Sequence, residues 1–131
     1  MDAWIKVAIL SLGGALGVNA RYWLSVLIGP WAAPKFPWAT FAINVSGSLL
    51  IGVASALLLH RFGGNEPARL LIVVGFLGGY TTFSSYTLEA LGLIEQGRGG
   101  LAAVYLGGSV LAGLAAGLAG LALGRSLSGW L

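Results

Sequence analysis

Residues 75–87 have the sequence GFLGGYTTFSSYT, which interrupts an otherwise apolar segment with glycines and hydroxyl-bearing side chains. The glycines loosen a helix, and Thr81 and Thr82 offer side-chain hydrogen bonds that compete with the backbone ladder. The pattern therefore predicts a helix that is broken near Gly78–Thr82. A break frees backbone N–H and C=O groups, which a membrane tolerates only where protein or a water-filled cavity surrounds them.

The composition around this stretch is that of a membrane protein. The chain has 131 residues, of which 57% are hydrophobic and 8% are charged, whereas a soluble domain has roughly 25% charged residues. The absence of cysteine excludes disulfides and thiolate chemistry. One histidine and four acidic residues leave too little for a metal cluster or a Ser-His-Asp arrangement, and we expect no enzymatic activity. The basic residues are scattered singly, which disfavours nucleic acid as a partner.

Four apolar stretches are each long enough to cross about 30 Å of hydrocarbon. They cover approximately residues 4–24, 38–59, 69–94 and 100–123, and loops rich in proline or glycine separate them. Because backbone groups in lipid must be satisfied internally, helices are expected for all four. The sequence predicts an all-α membrane protein in which residues 1–131 form a single transmembrane domain.

The charges leave the orientation in the membrane open. One side would hold Lys6, Arg61, Arg69 and Arg125, and the other Arg21, Lys35 and Arg98. Four against three is almost no bias under the positive-inside rule. Insertion in both orientations, which permits an antiparallel dimer, and insertion decided by a single charge remain alternatives.

Polar residues recur at helical spacing within the second and fourth stretches. Thr40, Asn44 and Ser48 share one face of the second, and Tyr105 and Ser109 share one face of the fourth. Asn44 either binds a neighbouring helix, at about 1 kcal/mol, or offers a donor to a permeation pathway. For Tyr105 and Ser109 a packing role is favoured over a pathway role.

Small residues in the fourth stretch favour close helix packing. The pairs Gly113/Gly117 and Gly120/Gly124 have the spacing of the GxxxG motif. Four helices are too few to enclose a pore, and such a glycine stripe calls for a partner. An oligomer, most simply a dimer, is expected.

Three further residues have alternative roles. Arg21 lies near a predicted interface, where it either extends towards the headgroups or lines an entrance for anions. Glu89 either pairs with a cation or belongs to a polar stripe with Thr82 and Ser85. Phe83 lies three residues before Tyr86, and an aromatic pair at this spacing usually packs, although ring edges carry partial positive charge.

The interior groups of the first, second and fourth stretches are mostly neutral hydrogen-bond donors, without an acid. A proton-coupled exporter wants a buried carboxylate there. A pore for a small anion instead wants several weak donors, because conduction fails where one site holds the ion too well. The residues alone thus favour a small anion.

Three motifs together resemble the Fluc/CrcB family of fluoride channels: GFLGGYTTFSSYT, TFAINVSGSLLIG at residues 40–52 and GGALGVNARY at residues 13–22. The resemblance covers essentially the whole chain. It implies a dual-topology, antiparallel homodimer in the bacterial inner (plasma) membrane, with two pores along the subunit interface that export fluoride passively. The alternatives are a small multidrug-type four-helix antiporter and a non-conducting membrane assembly factor.

The resemblance also implies roles for individual residues. Asn44 and Phe83 match pore residues, and Tyr86 stands where the family usually has a second phenylalanine. Thr40, Tyr105 and Ser109 match a track of hydroxyl groups, and Gly113 occupies a position that often bears another. The remaining matches are Arg21, in a pore vestibule, and Gly78 and Thr81, in a break whose carbonyls hold a structural sodium ion at the dimer interface.

Overall fold

Four helical spans make up the fold. The computed structural model describes residues 1–31, 35–60 and 64–129, and these ranges contain no β-strand. The spans are the first helix (Ala3–Ile28), the second helix (Trp38–His60), the third span (Glu66–Glu95) and the fourth helix (Gly99–Leu127). All four are long and apolar enough to cross a membrane, which confirms the all-α membrane fold. Arg61, one of the basic residues counted for orientation, lies outside the described residues.

The third span is broken where the sequence predicts it. Its first half runs through Glu66–Ala68, a π-helical stretch Arg69–Leu77 and Gly78–Tyr80. Thr81 and Thr82 then have extended backbone, with ψ angles of 157° and 118°. The second half is a regular helix, Phe83–Glu95. The π-helical geometry of the first half was not predicted.

Glycines allow two pairs of spans to approach at backbone distance. The first helix packs on the first half of the third span, and the second helix packs on the fourth, in the two most extensive interfaces of the chain. A Cβ added to Gly17 would lie 2.9 Å from the Tyr80 nitrogen and closer still to the Phe76 carbonyl oxygen. One added to Gly124 would lie 2.8 Å from the Val53 carbonyl oxygen. Both interfaces therefore exclude any side chain larger than hydrogen at these positions.

The glycine stripe of the fourth helix does not require a partner chain. Gly120 and Gly124 are buried against the second helix of the same chain, where they meet Leu49 and Val53. The expectation that this stripe calls for an oligomer is wrong for these two residues. The sequence pattern identifies a close approach but does not say which helix makes it.

A cluster of buried side chains joins the second half of the third span to the fourth helix. Tyr105 is fully buried in it, and Phe36, from the segment before the second helix, packs against it. The buried members are Tyr86, Ala90, Leu93, Ala102 and Tyr105. The cluster fixes the face of the second half that carries Tyr86.

Most of the remaining apolar surface faces outwards. Phe83 is 80% exposed and Leu88 72% exposed, and the first helix buries only Gly13 and Gly17. Soluble monomers rarely expose contiguous apolar patches of this kind. Lipid or a second chain must cover this surface.

Gly17→Ala tests the backbone contact between the first helix and the third span. We expect it to destabilise the protein by about 1–3 kcal/mol, because the new methyl group meets backbone atoms that cannot move aside. Gly14→Ala is the matched control, since a Cβ at Gly14 meets nothing within 4 Å. The control should be neutral or more stable by up to about 1 kcal/mol, from helix propensity alone. Equal thermal unfolding of both variants in detergent would contradict the packing argument.

Candidate functional site

Asn44 bridges the second helix to the break in the third span. Its Nδ2 donates to the Thr82 carbonyl oxygen at 3.0 Å, and its Oδ1 accepts from the Thr82 backbone nitrogen at 2.8 Å. One side chain therefore satisfies both backbone groups of a residue that lies outside regular helix. Of the two alternatives for Asn44, the interhelical hydrogen bond is present, and one N–H of the amide remains for another acceptor.

The same bond changes the hydrogen bonding of the preceding turn. In an uninterrupted helix the Thr82 N–H would bond to the carbonyl of Gly78, four residues earlier. It donates to Asn44 instead, while the Leu77 carbonyl accepts from both the backbone nitrogen and the Oγ1 of Thr81, at 3.0 and 2.9 Å. The Gly78 carbonyl oxygen is left without its helical partner. An oxygen of this kind is the ligand type that hard cations prefer.

A cavity of about 350 Å³ lies beside the break, and we call it the polar groove. Its lining brings together predicted site residues from three spans, namely Asn44, Gly78, Thr81, Phe83, Tyr86 and Ser109. A further cavity of about 610 Å³, between the second and fourth helices, shares Ser48 and Ser109 with it. Thr40, Tyr105 and Arg21 do not line the polar groove.

Ser109 is the exceptional residue of this lining. Its Oγ is buried and has no hydrogen-bond partner among the described residues. An unsatisfied buried hydroxyl costs about 1–3 kcal/mol, so such groups are uncommon unless something else occupies the site. The polar groove thus contains a donor that is available to a bound acceptor.

Phe83 and Tyr86 form an aromatic pair, and the Tyr86 hydroxyl has a separate partner on the fourth helix. Tyr86 donates its hydroxyl to the Leu106 carbonyl oxygen at 2.8 Å, so this group is committed to the fourth helix. Tyr86 is therefore a lining residue of the groove whose hydroxyl already has a partner. Phe83 lies next to it, with ring centroids 5.6 Å apart and an interplanar angle of 42°. Phe83 and Tyr86 both line the groove.

Glu89 organises a second polar cluster, one that the sequence did not identify. Thr40 donates to Glu89 Oε1 at 2.8 Å, and Tyr105 donates to Oε2 at 2.7 Å. The hydroxyl hydrogens of two residues in the predicted track are thus committed to a carboxylate, whereas Ser109 is not. Glu89 therefore forms a polar cluster with Thr40 and Tyr105. It has no hydrogen bond to Thr82 or Ser85 among the described residues. An ionisable residue inside a span was the available signal.

Arg21 lies apart from both clusters. It is half-buried on the first helix, and its backbone carbonyl accepts from the Ser25 hydroxyl at 2.9 Å. Its role in a vestibule stays a prediction.

Comparisons with known proteins agree with the motifs. The family model for CrcB-like protein, Camphor Resistance (CrcB), matches residues 8–121. A fluoride-specific ion channel FluC of Nitrobacter winogradskyi is 45% identical over 93% of this chain and 97% of its own length. A channel of the same name from Agrobacterium fabrum is 46% identical over 94% of this chain and 98% of its own length. Another, from Novosphingobium aromaticivorans, is 46% identical over 92% of this chain and 97% of its own length. The chain belongs to the CrcB family.

Proposed function

We propose that this protein is a fluoride-selective channel of the bacterial plasma membrane that lets fluoride leave the cytoplasm passively. Hydrogen fluoride enters as a neutral weak acid and dissociates inside, and the trapped anion then leaves down its gradient. The relatives are named for fluoride. The observation on this chain that carries the proposal is the unpartnered Ser109 hydroxyl in a groove of weak donors.

The polar groove has the chemistry that anion conduction needs. Its donors are the remaining N–H of Asn44, the hydroxyl of Ser109 and the partially positive ring edge of Phe83. None of its lining residues is charged. Such donors replace part of the hydration of a small anion without holding it so tightly that it cannot leave.

The multidrug-type antiporter finds no support in the comparisons. Its chemistry would also need a carboxylate that is free to exchange a proton for a cationic substrate. Glu89, the carboxylate within the third span, accepts hydrogen bonds on both oxygens from Thr40 and Tyr105.

The proposal includes an antiparallel homodimer within the lipid bilayer. Phe83 borders the polar groove and is 80% exposed in the single chain, so an ion beside this ring would be open to lipid. A second copy covering the groove would exclude lipid there. The near balance of basic residues on the two sides is compatible with both orientations in one membrane.

A sodium ion at the centre of the dimer is the second part of the proposal. The residues fit it, because the Gly78 carbonyl has lost its helical partner and Thr81 lies in the extended turn beside it. Gly78 and Thr81 would hold the ion through backbone oxygens. When bound, the ion neutralises the partial negative charges of carbonyls that the break leaves at membrane depth.

Fluoride efflux from liposomes tests the function. Vesicles that contain the purified protein are loaded with potassium fluoride or potassium chloride, and ion electrodes record release after a potassium ionophore is added. We expect rapid fluoride release and chloride release at the level of protein-free vesicles. No fluoride release, or equal release of chloride, would overturn the proposal.

Phe83→Ile, in the same assay, separates the pathway from the fold. It should depress fluoride release because it removes the ring edge, whereas Leu88→Ile, at a similarly exposed position of the same helix, should not. Release at the wild-type rate in Phe83→Ile would remove the ring from the pathway.

Ser109→Ala distinguishes a pathway hydroxyl from a packing residue. If Ser109 serves the anion, we expect fluoride release to fall by roughly tenfold, while stability is unchanged or rises by about 1 kcal/mol because an unsatisfied hydroxyl is lost. Ser48→Ala is the matched control, since Ser48 lines the same groove but donates to the Asn44 carbonyl oxygen at 2.8 Å. Unchanged release from Ser109→Ala would assign the residue to packing.

Replacing sodium tests the cation and the dimer together. In detergent with choline in place of sodium, we expect the dimer to dissociate at protein concentrations at which it persists in sodium, because a ligand of the dimer stabilises it by mass action. Light scattering measures the mass, and adding sodium back at constant ionic strength should restore it. A dimer that is indifferent to sodium would contradict the cation site, and a monomer under both conditions would contradict the dimer.

A further inference from the structure

A separate cavity, which we call the end cavity, lies at one end of the spans. It has a volume of about 380 Å³ and is formed around the end of the first helix, the start of the second, and the turn between the third span and the fourth helix. Lys35, Gln96 and Arg98 line it outside the helices, and Glu89 lines it from within the third span. The space is ample for a hydrated ion.

The charges of the end cavity set it apart from the polar groove. Its ionisable lining residues are Lys35, Arg98 and Glu89, which leave one net positive charge. Glu89 alone would repel an anion that approaches from this end. With both cations present the net charge of the lining is positive, and the cavity extends to Glu89, which accepts hydrogen bonds from Thr40 and Tyr105.

The chain segment that carries one of these cations is held in place. Arg98 Nη2 donates to the Lys35 carbonyl oxygen at 2.6 Å, which ties the segment before the second helix to the turn before the fourth. Phe36 then packs edge-on against Tyr105, with centroids 5.3 Å apart. The Arg98 hydrogen bond and the Phe36–Tyr105 contact thus hold the backbone that carries Lys35 beside the cavity.

Lys6, a basic residue at the opposite end of the spans, differs from Lys35 and Arg98 because it has an acidic partner. Lys6 forms an ion pair with Glu66 at 2.8 Å, so its charge is largely compensated. Lys35 and Arg98 have no ion pair among the described residues.

We propose that Lys35 and Arg98 make the end cavity an anion-attracting mouth, which concentrates small inorganic anions by its field without binding them tightly. This inference rests on the proposed fluoride channel, because it names the entrance or exit of that pathway. Focusing of field lines in a cleft with low-dielectric walls raises the local concentration of the attracted ion. The local potential can nevertheless be measured without any conduction.

Thiol modification measures this potential. The chain has no cysteine, so Gln96→Cys introduces the sole thiol at an exposed position of the cavity lining. The measured quantity is the rate with an anionic methanethiosulfonate divided by the rate with a cationic one. We expect Lys35→Gln with Arg98→Gln to lower this ratio by roughly tenfold at about 10 mM salt, and by much less at about 1 M, where charges are screened within a few ångströms.

Two control variants separate local charge from net charge and from structure. Arg69→Gln with Arg125→Gln removes the same total charge from exposed residues at the other end of the spans, and should leave the ratio unchanged. Arg98→Lys keeps the charge and should retain the ratio, although it alters the hydrogen bond to Lys35.

The outcomes distinguish this inference from the function on which it rests. An unchanged ratio in the double variant at low salt overturns the mouth. So does a change that occurs only in vesicles with phosphatidylglycerol, because the occupant would then be a lipid headgroup and not a free anion. A protein that shows the expected ratio but releases no fluoride refutes the channel alone. A protein that releases fluoride with an unchanged ratio refutes the mouth alone.

Discussion

The double hydrogen bond between Asn44 and the backbone of Thr82 is the interaction on which the site depends. A span that is interrupted in lipid leaves backbone groups without partners, each at a cost of several kcal/mol. Asn44 supplies a donor and an acceptor to the same residue, at 3.0 and 2.8 Å, from a helix that packs beside the break. The break can then persist at membrane depth, and it needs no water at Thr82.

Two structural features follow from that bond. Because the Thr82 N–H donates to Asn44, the Gly78 carbonyl oxygen lacks its helical partner. An oxygen of this kind is a ligand type that hard cations prefer. Thr82 also caps the second half of the span, since its Oγ1 accepts from the Ser85 nitrogen at 3.2 Å. Phe83 is the first residue of this new helix and lines the polar groove. A helix that begins at the groove adds a favourable field for an anion.

The sequence predicted the spans and the break better than it predicted which residues of different spans contact each other. Glycine and threonine chemistry located the break, and apolar length located the spans, because both are local properties. Helical spacing placed Thr40 and Asn44 on one face but did not show that Thr40 meets Glu89, 49 residues away, whereas Asn44 meets Thr82. The glycine motif of the fourth helix likewise indicated close packing, and only the structure shows that the second helix of the same chain supplies it.

In the proposed channel, the difference in charge between the polar groove and the end cavity has a kinetic reason. A full charge deep in a conduction pathway would bind a small anion strongly and slow its departure, and the polar groove is lined by neutral groups. Cations are useful only where the ion is still hydrated, and the basic residues Lys35 and Arg98 line the end cavity instead. Glu89 also lines the end cavity, and both of its oxygens accept hydrogen bonds from hydroxyl groups. In the proposed channel, those donors would disperse its negative charge and lower the repulsion of an anion that enters the end cavity.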